Sequence, residues 1–266
     1  MTQPISFPPG HSIRLQDLAA DDHGEVSREE AEALTEQYAA ALDELTYRLY
    51  AENRRALLLV LQGMDTSGKD GAIRKALHEI NPAGLRVISF KGPTDEESRH
   101  DFLWRIHKAV PAAGEVTVFN RSHYEDVGIV RVHKLVPEEI WKKRYDAINC
   151  FEQSLVDGGT TILKFYLHIS RKEQKERLQA RIDDPHKRWK FNKQDVEERK
   201  YWNEYTAAYD DALTRCNTAA APWHVVPADR KWYRNFVISK IVHDTLKKMD
   251  PQFPPAEPGI EELLIK

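Results

Sequence analysis

A glycine-bounded loop holds the first residues whose types and spacing could do chemistry. Gly63, Gly68 and Lys69 match the pattern G-x-x-x-x-G-K, between an apolar run and a helix-like segment. The glycines let successive backbone N–H groups converge on an anion, and the start of a helix adds positive potential at the same place. The Lys69 ammonium could then bridge two phosphates. The pattern predicts a phosphate-binding loop, and the alternative is an ordinary strand-to-helix turn with a capping glycine.

Two carboxylates distinguish this loop from the usual one. Asp70 replaces the Ser or Thr that normally follows the lysine and holds a metal ion, and Asp65 lies inside the loop. A carboxylate beside phosphates needs a cation between the two anions, and Mg²⁺ prefers a few carboxylates together with phosphate oxygens. We therefore predict Asp65 as a magnesium ligand, with a loop-stabilising cap as the alternative. The loop residues expected to contact phosphate are Gly63, Met64, Thr66, Ser67, Gly68 and Lys69.

A second polar segment, Phe119–Asp126, begins at the end of the third predicted strand. In phosphate-loop proteins a residue at this point often supplies a second metal ligand. Here the position holds Asn120, and Glu125 and Asp126 could supply the missing negative charge. Arg121 can clamp phosphate oxygens with its guanidinium group. The alternative for Arg121 is a structural ion pair with Glu125 or Asp126.

A third segment concentrates cations and aromatic residues between two predicted helices. A basic segment in this position is typical of a lid that closes over phosphates and excludes water. A solvated charged hairpin fits the charges equally well, because acidic residues lie nearby. The cations of this segment that are expected at the phosphate site are Arg181, Lys187, Arg188 and Lys190. Lys91 follows the second strand and is expected to face the same site, although a plain helix start also explains its turn.

The elements that must position these residues alternate along the chain. This alternation predicts right-handed crossovers and a parallel sheet covered on both faces, with ligands at the carboxyl ends of the strands. Strands are predicted at Ala56–Gln62, Leu85–Phe90, Glu115–Asn120, Thr161–Ile169 and Trp223–Val226. Helices are predicted at 27–53, Lys69–Ile80, Thr94–Val110, Pro137–Asp157, Arg171–Ile182, Gln194–Cys216 and Lys231–Met249. Around this domain of residues 27–249, with its lid at about 181–200, we expect an extended arm (1–26) and a C-terminal tail (250–266).

Composition limits the class of partner. The chain has 266 residues and a formal net charge of −3, which does not favour general nucleic-acid binding. No apolar run approaches the roughly 20 residues needed to cross a bilayer, and no signal peptide is visible. The two cysteines, Cys150 and Cys216, lack a metal-binding spacing. We therefore expect a cytoplasmic protein that binds neither nucleic acid nor a membrane.

Three motifs taken together resemble the polyphosphate kinase 2 family. They are Gly63-x-Asp65-x-x-Gly68-Lys69, Asn120-Arg121-Ser122-x-Tyr124 and Arg181-x-x-x-Pro185-x-Lys187-x-Trp189-Lys190. The resemblance spans nearly the whole chain. It implies an α/β protein with a three-layered α/β/α phosphate-loop kinase fold, similar to thymidylate kinase, with a five-stranded parallel sheet and a helical lid. It also places Tyr124 at the phosphate or nucleotide site.

The resemblance implies a reaction as well. The family transfers a terminal phosphoryl group between inorganic polyphosphate and a nucleotide, with Mg²⁺, and its members are commonly dimers or tetramers. The family's second motif often begins with Asp and has Asn-Arg after the tyrosine, where this chain has Asn120 and Glu125-Asp126. This departure resembles the class III subgroup, whose members phosphorylate both AMP and ADP. Asp126 is then a compensating metal ligand or a residue that selects the nucleotide.

The resulting hypothesis is a direct in-line transfer, which depends on positioning and charge more than on covalent chemistry. The catalytic residues would be Asp65, Lys69, Arg121 and Arg181, and the metal ligands Asp65, Asn120 and Asp126. Adenine nucleotides and polyphosphate would be the substrates. One alternative is a nucleoside monophosphate kinase that uses ATP as donor. The other is a non-catalytic module that binds polyphosphate or nucleotide.

Overall fold

A computed structural model describes residues 5–265, so residues 1–4 of the predicted arm and Lys266 of the predicted tail lie outside the described residues. The molecule is built on one six-stranded sheet with the strand order β1-β6-β5-β2-β4-β3. The strands are β1 (Ile5–Ser6), β2 (Ala56–Gln62), β3 (Leu85–Ser89), β4 (Val116–Asn120), β5 (Thr160–His168) and β6 (Trp223–Pro227).

Strands β2 to β6 are parallel, which confirms the predicted five-stranded parallel sheet. The central strand β2 pairs with β4 through Leu59 and Val118, and with β5 through Leu59 and Leu163. Every residue of β2 is buried, as expected for a strand with neighbours on both sides and helices over both faces. The short strand β1 was not predicted, and it pairs antiparallel with β6.

Helices cover both faces of the sheet. They are α1 (Arg28–Glu52), α2 (Lys69–Ala76), α3 (Trp104–His107), α4 (Ile129–Val132), α5 (Glu138–Asp157), α6 (Arg171–Asp183), α7 (Lys193–Glu198), α8 (Trp202–Arg215) and α9 (Lys231–Met249). Helix α1 begins with a side-chain cap, in which the Ser27 hydroxyl accepts the Glu30 N–H. Helices α1 and α2 pack against α9, and α5 packs against β5.

Two predicted helices are broken in the structure. The segment 94–110 forms only a 3₁₀ turn at Glu97–Arg99 and the short helix α3. The Asp101 carboxylate accepts the Leu103 N–H, a side-chain bond that competes with helical hydrogen bonding. The segment 194–216 is divided into α7 and α8 by a 3₁₀ turn at Arg199–Tyr201.

The N-terminal arm packs on the main domain. Ile13 and Leu15 of the arm are buried. Their N–H groups donate to the side chains of Thr214 and Asp210 at 2.9 and 2.8 Å. Both acceptors belong to α8, so the arm is fixed to the helix that follows the predicted lid.

Candidate active site

The loop from Gly63 to Gly68 joins the carboxyl end of β2 to α2, and its backbone requires glycine at both ends. Gly63 has φ +147° and Gly68 has φ +100°. A Cβ on Gly63 would lie 2.7 Å from the Leu167 carbonyl oxygen, and one on Gly68 would lie 2.0 Å from Nη1 of Arg234. Thr66 also has a positive φ of 65°, and backbone strain of this kind often marks functional sites. Local packing therefore determines the shape of the loop.

Lys69 begins α2 and keeps its charged group against the loop. Its side chain is only 9% exposed, and Nζ donates to the carbonyls of Gly63 at 2.8 Å and Met64 at 3.3 Å. Burial, together with the nearby Arg121 guanidinium, lowers the pKa of Lys69 to about 8. A phosphate bound beside the ammonium would favour its charged form.

Two buried arginines support the loop, and the sequence analysis missed both. Arg177 of α6 donates from Nη1 to the carbonyls of Thr66 and Ser67, each at 2.9 Å, and from Nη2 to the carbonyls that follow β6. Arg234 of α9 is 2% exposed and donates to the Ser67 carbonyl at 3.4 Å. Burial and the neighbouring Arg177 lower the pKa of Arg234 to about 10. A sequence signal for Arg234 did exist, because Arg234 and Asn235 interrupt the apolar stretch from Trp232 to Ile238.

Asp65 and Arg121, predicted to be catalytic, meet at the edge of the loop. Arg121 follows β4 with φ +63°, and its Nη2 lies 2.8 Å from Oδ1 of Asp65. Its Nη1 lies 4.0 Å from Glu125, so the guanidinium group lies between two carboxylates. Both side chains of the Asp65–Arg121 pair remain partly exposed. The pair can therefore open at little cost when phosphate and a cation arrive.

Asn120 and Asp70 form a second contact between β4 and α2. The Asn120 amide donates to Oδ1 of Asp70 at 2.6 Å. The sequence left Asp70 without a role, and the structure gives it this hydrogen bond. The bond links the end of β4 to the first turn of α2, so the two motifs support each other.

Asp126 lies apart from the loop, which differs from its predicted role as a metal ligand. Its carboxylate is 3.1 Å from Arg144 and 3.8 Å from Arg105. Burial raises the pKa of Asp126 to about 6, although both arginines act in the opposite direction. A carboxylate already paired with two guanidinium groups, and facing a different cavity from Asp65, is not placed to hold the same ion.

Tyr124 is buried, so the structure corrects its predicted contact with phosphate or nucleotide. The side chain is 1% exposed, and its hydroxyl donates to Glu152 at 2.8 Å. Nζ of the fully buried Lys164 donates to the Tyr124 hydroxyl at 2.8 Å and to Glu152 at 2.6 Å. His123 lies in the same buried network, 3.2 Å from Glu152. The network anchors the turn that presents Arg121.

A cavity of about 800 Å³, the loop cavity, opens between the loop, α6 and the start of α9. The predicted residues that line it are Asp65, Thr66, Gly68, Lys69, Arg121, Arg181, Lys187 and Lys190. Gly63 and Met64 instead line a smaller cavity of about 220 Å³ beside Glu125. Ser67 lines neither cavity, since its side chain is buried and its N–H donates to the Met64 carbonyl. Arg188 is also absent from the lining, because its Nε donates to the Ile182 carbonyl.

The predicted lid lies beside the loop cavity with its cations partly neutralised. Arg181 is 3.4 Å from Asp195, and Lys187 is 2.6 Å from Asp184. Trp189 is 78% exposed, although it also lines the cavity. Ion pairs that are partly open to solvent contribute modestly to stability, so these cations can exchange their carboxylate partners for phosphate.

A third cavity, the turn cavity, lies beside the Phe90–Pro93 turn and has a volume of about 510 Å³. Lys91 lines it, as does Asp126. Arg121 lines both this cavity and the loop cavity. The loop cavity and the turn cavity therefore meet at Arg121, which is placed to contact a group that passes between them.

The residues at the loop fit a metal ion that is held mainly by substrate. Within residues 5–265, no three His, Cys, Asp or Glu side chains are grouped so that they could hold a metal ion by themselves. The loop cavity does contain the carboxylates of Asp65 and Asp70. One or two carboxylates, with phosphate oxygens and water completing the shell, is the usual environment of Mg²⁺.

The central strand of the parallel sheet leads into a glycine-bounded loop. A buried lysine follows the loop, and a cationic cavity lies beside it. Together these features define a phosphate-loop phosphotransferase. The family model described as "Polyphosphate kinase 2 (PPK2)" matches residues 25–254. The chain belongs to the polyphosphate kinase 2 family, which confirms the resemblance of its motifs, and it is an enzyme of the kinase type.

Individual relatives are similar over most of their length. The "AMP/ADP-polyphosphate phosphotransferase" of Meiothermus ruber is 48% identical over 94% of this chain and 92% of its own. The "ADP-polyphosphate phosphotransferase" of Rhodopseudomonas palustris is 42% identical over 90% of this chain and 87% of its own. The crystal structure of polyphosphate kinase 2 from Arthrobacter aurescens TC1 superposes with a TM-score of 0.93 and 42% identity, covering 97% of this chain and 92% of that one. Among the described residues, no helix is both long and apolar enough to cross a membrane.

Proposed function

We propose that this chain transfers the terminal phosphoryl group of inorganic polyphosphate to ADP and to AMP, reversibly and with Mg²⁺. The observation that carries the proposal is the cationic loop cavity, into which α2, α6, α9 and the segment after β4 all direct basic residues. Lys190 and Lys231 line it, and neither has a carboxylate within 4 Å among residues 5–265. Such a surface suits a polyanion without a base. The name of the Meiothermus ruber relative, which includes both AMP and ADP, supports the choice of acceptors.

The donor phosphates would lie on the loop. Lys69 would exchange its two carbonyl partners for phosphate oxygens. Arg121 and Arg181 would neutralise charge on the transferring group as it passes towards the acceptor. A loose transition state for phosphoryl transfer needs such positioning and charge more than covalent chemistry. Asp65 and Asn120 would hold Mg²⁺, which supplies positive charge between the two anionic substrates.

The acceptor nucleoside would enter the turn cavity. This cavity meets the loop cavity at Arg121, and its volume of about 510 Å³ is in the range of small-molecule sites. It combines the aromatic ring of Phe90 with the cations Lys91 and Arg105. Asp126 faces the same space, so a role for it in selecting the nucleotide is part of the proposal. A dimer or tetramer, and a cytoplasmic location, also stay predictions.

The decisive experiment supplies AMP, Mg²⁺ and polyphosphate and follows ADP and ATP over time. ADP followed by ATP is expected, whereas ADP alone would remove ADP from the acceptors. Replacing polyphosphate by ATP tests the nucleoside monophosphate kinase, which would form ADP from AMP in that arm only. Tight binding of polyphosphate without turnover would indicate a binding module.

Variants connect this activity to the site. Lys69→Ala and Asp65→Asn should each lower the rate with polyphosphate on the order of 10²- to 10³-fold. Lys143→Ala is a matched control, because Lys143 is an exposed lysine on α5 that lines none of the cavities described. A near wild-type rate in either site variant would refute the assignment of these residues.

A further inference from the structure

A fully buried ion pair lies behind the turn that carries Arg121. Glu152 of α5 is 1% exposed and Lys164 of β5 is completely buried, and Nζ of Lys164 lies 2.6 Å from Oε2 of Glu152. A buried ion pair adds little net stability compared with apolar residues of similar volume, because desolvation of both charges offsets their attraction. Stability of the core therefore does not by itself explain why two charges occupy this position.

The carboxylate of this pair holds the turn through its second oxygen. Oε1 of Glu152 accepts the Tyr124 hydroxyl at 2.8 Å and lies 3.2 Å from Nε2 of His123. Burial lowers the pKa of His123, so the ring is neutral and donates its Nε2 proton to the carboxylate. Burial acts to raise the pKa of Glu152, but Lys164 and His123 hold it below its usual value. One charged oxygen therefore receives bonds from two successive residues of the turn.

The ammonium of the pair reaches a further segment of the chain. Besides Glu152, Nζ of Lys164 donates to the Tyr124 hydroxyl at 2.8 Å and to the Cys216 carbonyl at 2.6 Å. These three bonds use all the donors of the ammonium group. Cys216 caps the end of α8, the helix that follows the predicted lid. The ion pair therefore joins the turn after β4 to α5, β5 and the end of α8.

Arg121 needs such support from its surroundings. Its φ of +63° is a left-handed conformation that residues other than glycine rarely adopt, and that persists only where neighbouring contacts fix it. The Arg121 N–H donates to the Leu61 carbonyl at 3.1 Å. The hydroxyl of Ser122, the next residue, accepts from Nε2 of Gln62 at 3.1 Å. Since the guanidinium group reaches into the cavities, its direction depends on how firmly this backbone is held.

We propose that Glu152 and Lys164 are positioning residues for phosphoryl transfer, which hold the backbone of Arg121 in the conformation that directs its guanidinium group at the transferring phosphate. The inference rests on the proposed function, since it gives a task in the same transfer to two residues that line none of the cavities described. Arg121 neutralises charge that develops on the transferring group. Its misplacement therefore lowers kcat and leaves the binding of both substrates in the ground state nearly intact.

The test replaces the ion pair by apolar side chains. Lys164→Met and Glu152→Leu each leave one buried charge without its partner, so each melting temperature should fall by about 10 °C. The double variant Glu152→Leu/Lys164→Met buries neither charge, and its melting temperature should lie above those of both single variants. Its kcat with polyphosphate and ADP should still be about 10- to 10²-fold below that of the wild type. Both KM values should change less than about threefold.

Two control variants separate placement from stability. Leu246→Ala removes a fully buried side chain near the end of α9, a helix that packs against α1 and α2. It should lower the melting temperature by a similar amount and leave kcat near the wild-type value. Glu152→Gln keeps a carbonyl oxygen that can accept from Tyr124 and His123, so its kcat should stay within about fivefold of the wild type.

Hydrogen–deuterium exchange measures the turn without turnover. Relative to the amides of β2, those of residues 121–127 should exchange about tenfold faster in the double variant than in the wild type. The same ratio should be unchanged in Leu246→Ala. Glu152→Leu alone allows both comparisons with Leu246→Ala, so the test does not depend on the folding of the double variant.

A kcat that recovers together with the melting temperature in the double variant would overturn the proposal, as would an equal fall of kcat in Leu246→Ala. Equal relative exchange of residues 121–127 in the wild type and the double variant would also overturn it. If the wild type transfers no phosphate from polyphosphate, the proposed function fails. The exchange comparison still decides in that case, because faster exchange supports the hold of the pair on the turn and equal exchange refutes it.

Discussion

Replacing Arg177 by alanine should destabilise the protein and disable the loop together. The Arg177 guanidinium donates to the carbonyls of Thr66 and Ser67 on one side, and to those of Ala228 and Asp229 on the other. It thereby joins the phosphate-binding loop to the segment between β6 and α9. Its Nε also lies 2.7 Å from Glu173.

The expected magnitude follows from these contacts. A hydrogen bond to a charged group contributes about 1.5–3 kcal/mol. The four losses will not add, because the loop relaxes and water enters the space that the side chain leaves. Removing one member of a buried charged network typically costs about 3–5 kcal/mol, and we expect the same reduction in the free energy of unfolding. A shift of the loop by about 1 Å should lower kcat/KM about 10²-fold.

Urea unfolding and steady-state kinetics measure the two effects. Arg177→Lys should be intermediate, because one ammonium can retain the charge but cannot span both pairs of carbonyls. Lys175→Ala is the matched control on the same helix, since Lys175 is exposed, and its stability should change by less than about 0.5 kcal/mol. A loss below about 1 kcal/mol in Arg177→Ala would refute the view that this residue holds the two segments together.

Three further predictions concern the loop and the turn that presents Arg121. Gly68→Ala forces a side chain into a backbone with φ +100° and against Arg234, so kcat/KM should fall about 10²-fold. In Gly71→Ala the new Cβ would lie 3.2 Å from Arg234, so the fall in kcat/KM should be much smaller. Similar kinetics for the two variants would contradict the steric argument. Tyr124→Phe removes a hydroxyl that is bonded to buried groups. The free energy of unfolding should therefore fall by about 1–2 kcal/mol, while the KM for polyphosphate stays unchanged. A raised KM at unchanged stability would place Tyr124 at the substrate. Because Lys69 has a pKa of about 8, it is charged below that pH and neutral above it. In a pH profile, kcat/KM for polyphosphate should therefore fall above about pH 8. The value of kcat should not fall there, since bound phosphate favours the charged lysine. A flat kcat/KM profile up to pH 10 would contradict this prediction.

Local patterns determined much of the fold and the centre of the site. The Ser27 cap, the buried strand β2, the glycine-bounded loop and helix α9 are each specified by a few neighbouring residues, so the sequence was sufficient to predict them. The approach of Arg121 to the loop could also be predicted, because the carboxyl ends of adjacent parallel strands meet at one edge of a sheet. The break in the predicted helix at 94–110 was missed because a side-chain hydrogen bond from Leu103 N–H to Asp101 competes with helical periodicity.

Only the tertiary structure decided which residues hold the loop in place and which face the cavities. Arg177 and Ser67 are 110 residues apart, and Arg234 and Ser67 are 167 apart, so no local pattern connects them. Tyr124 and Asp126 follow Arg121 closely in the chain but point into the core and into another cavity, because the 3₁₀ turn at His123–Asp126 directs successive side chains to different sides. A sequence motif specifies residue types at fixed spacing, whereas packing across the sheet determines where each side chain points.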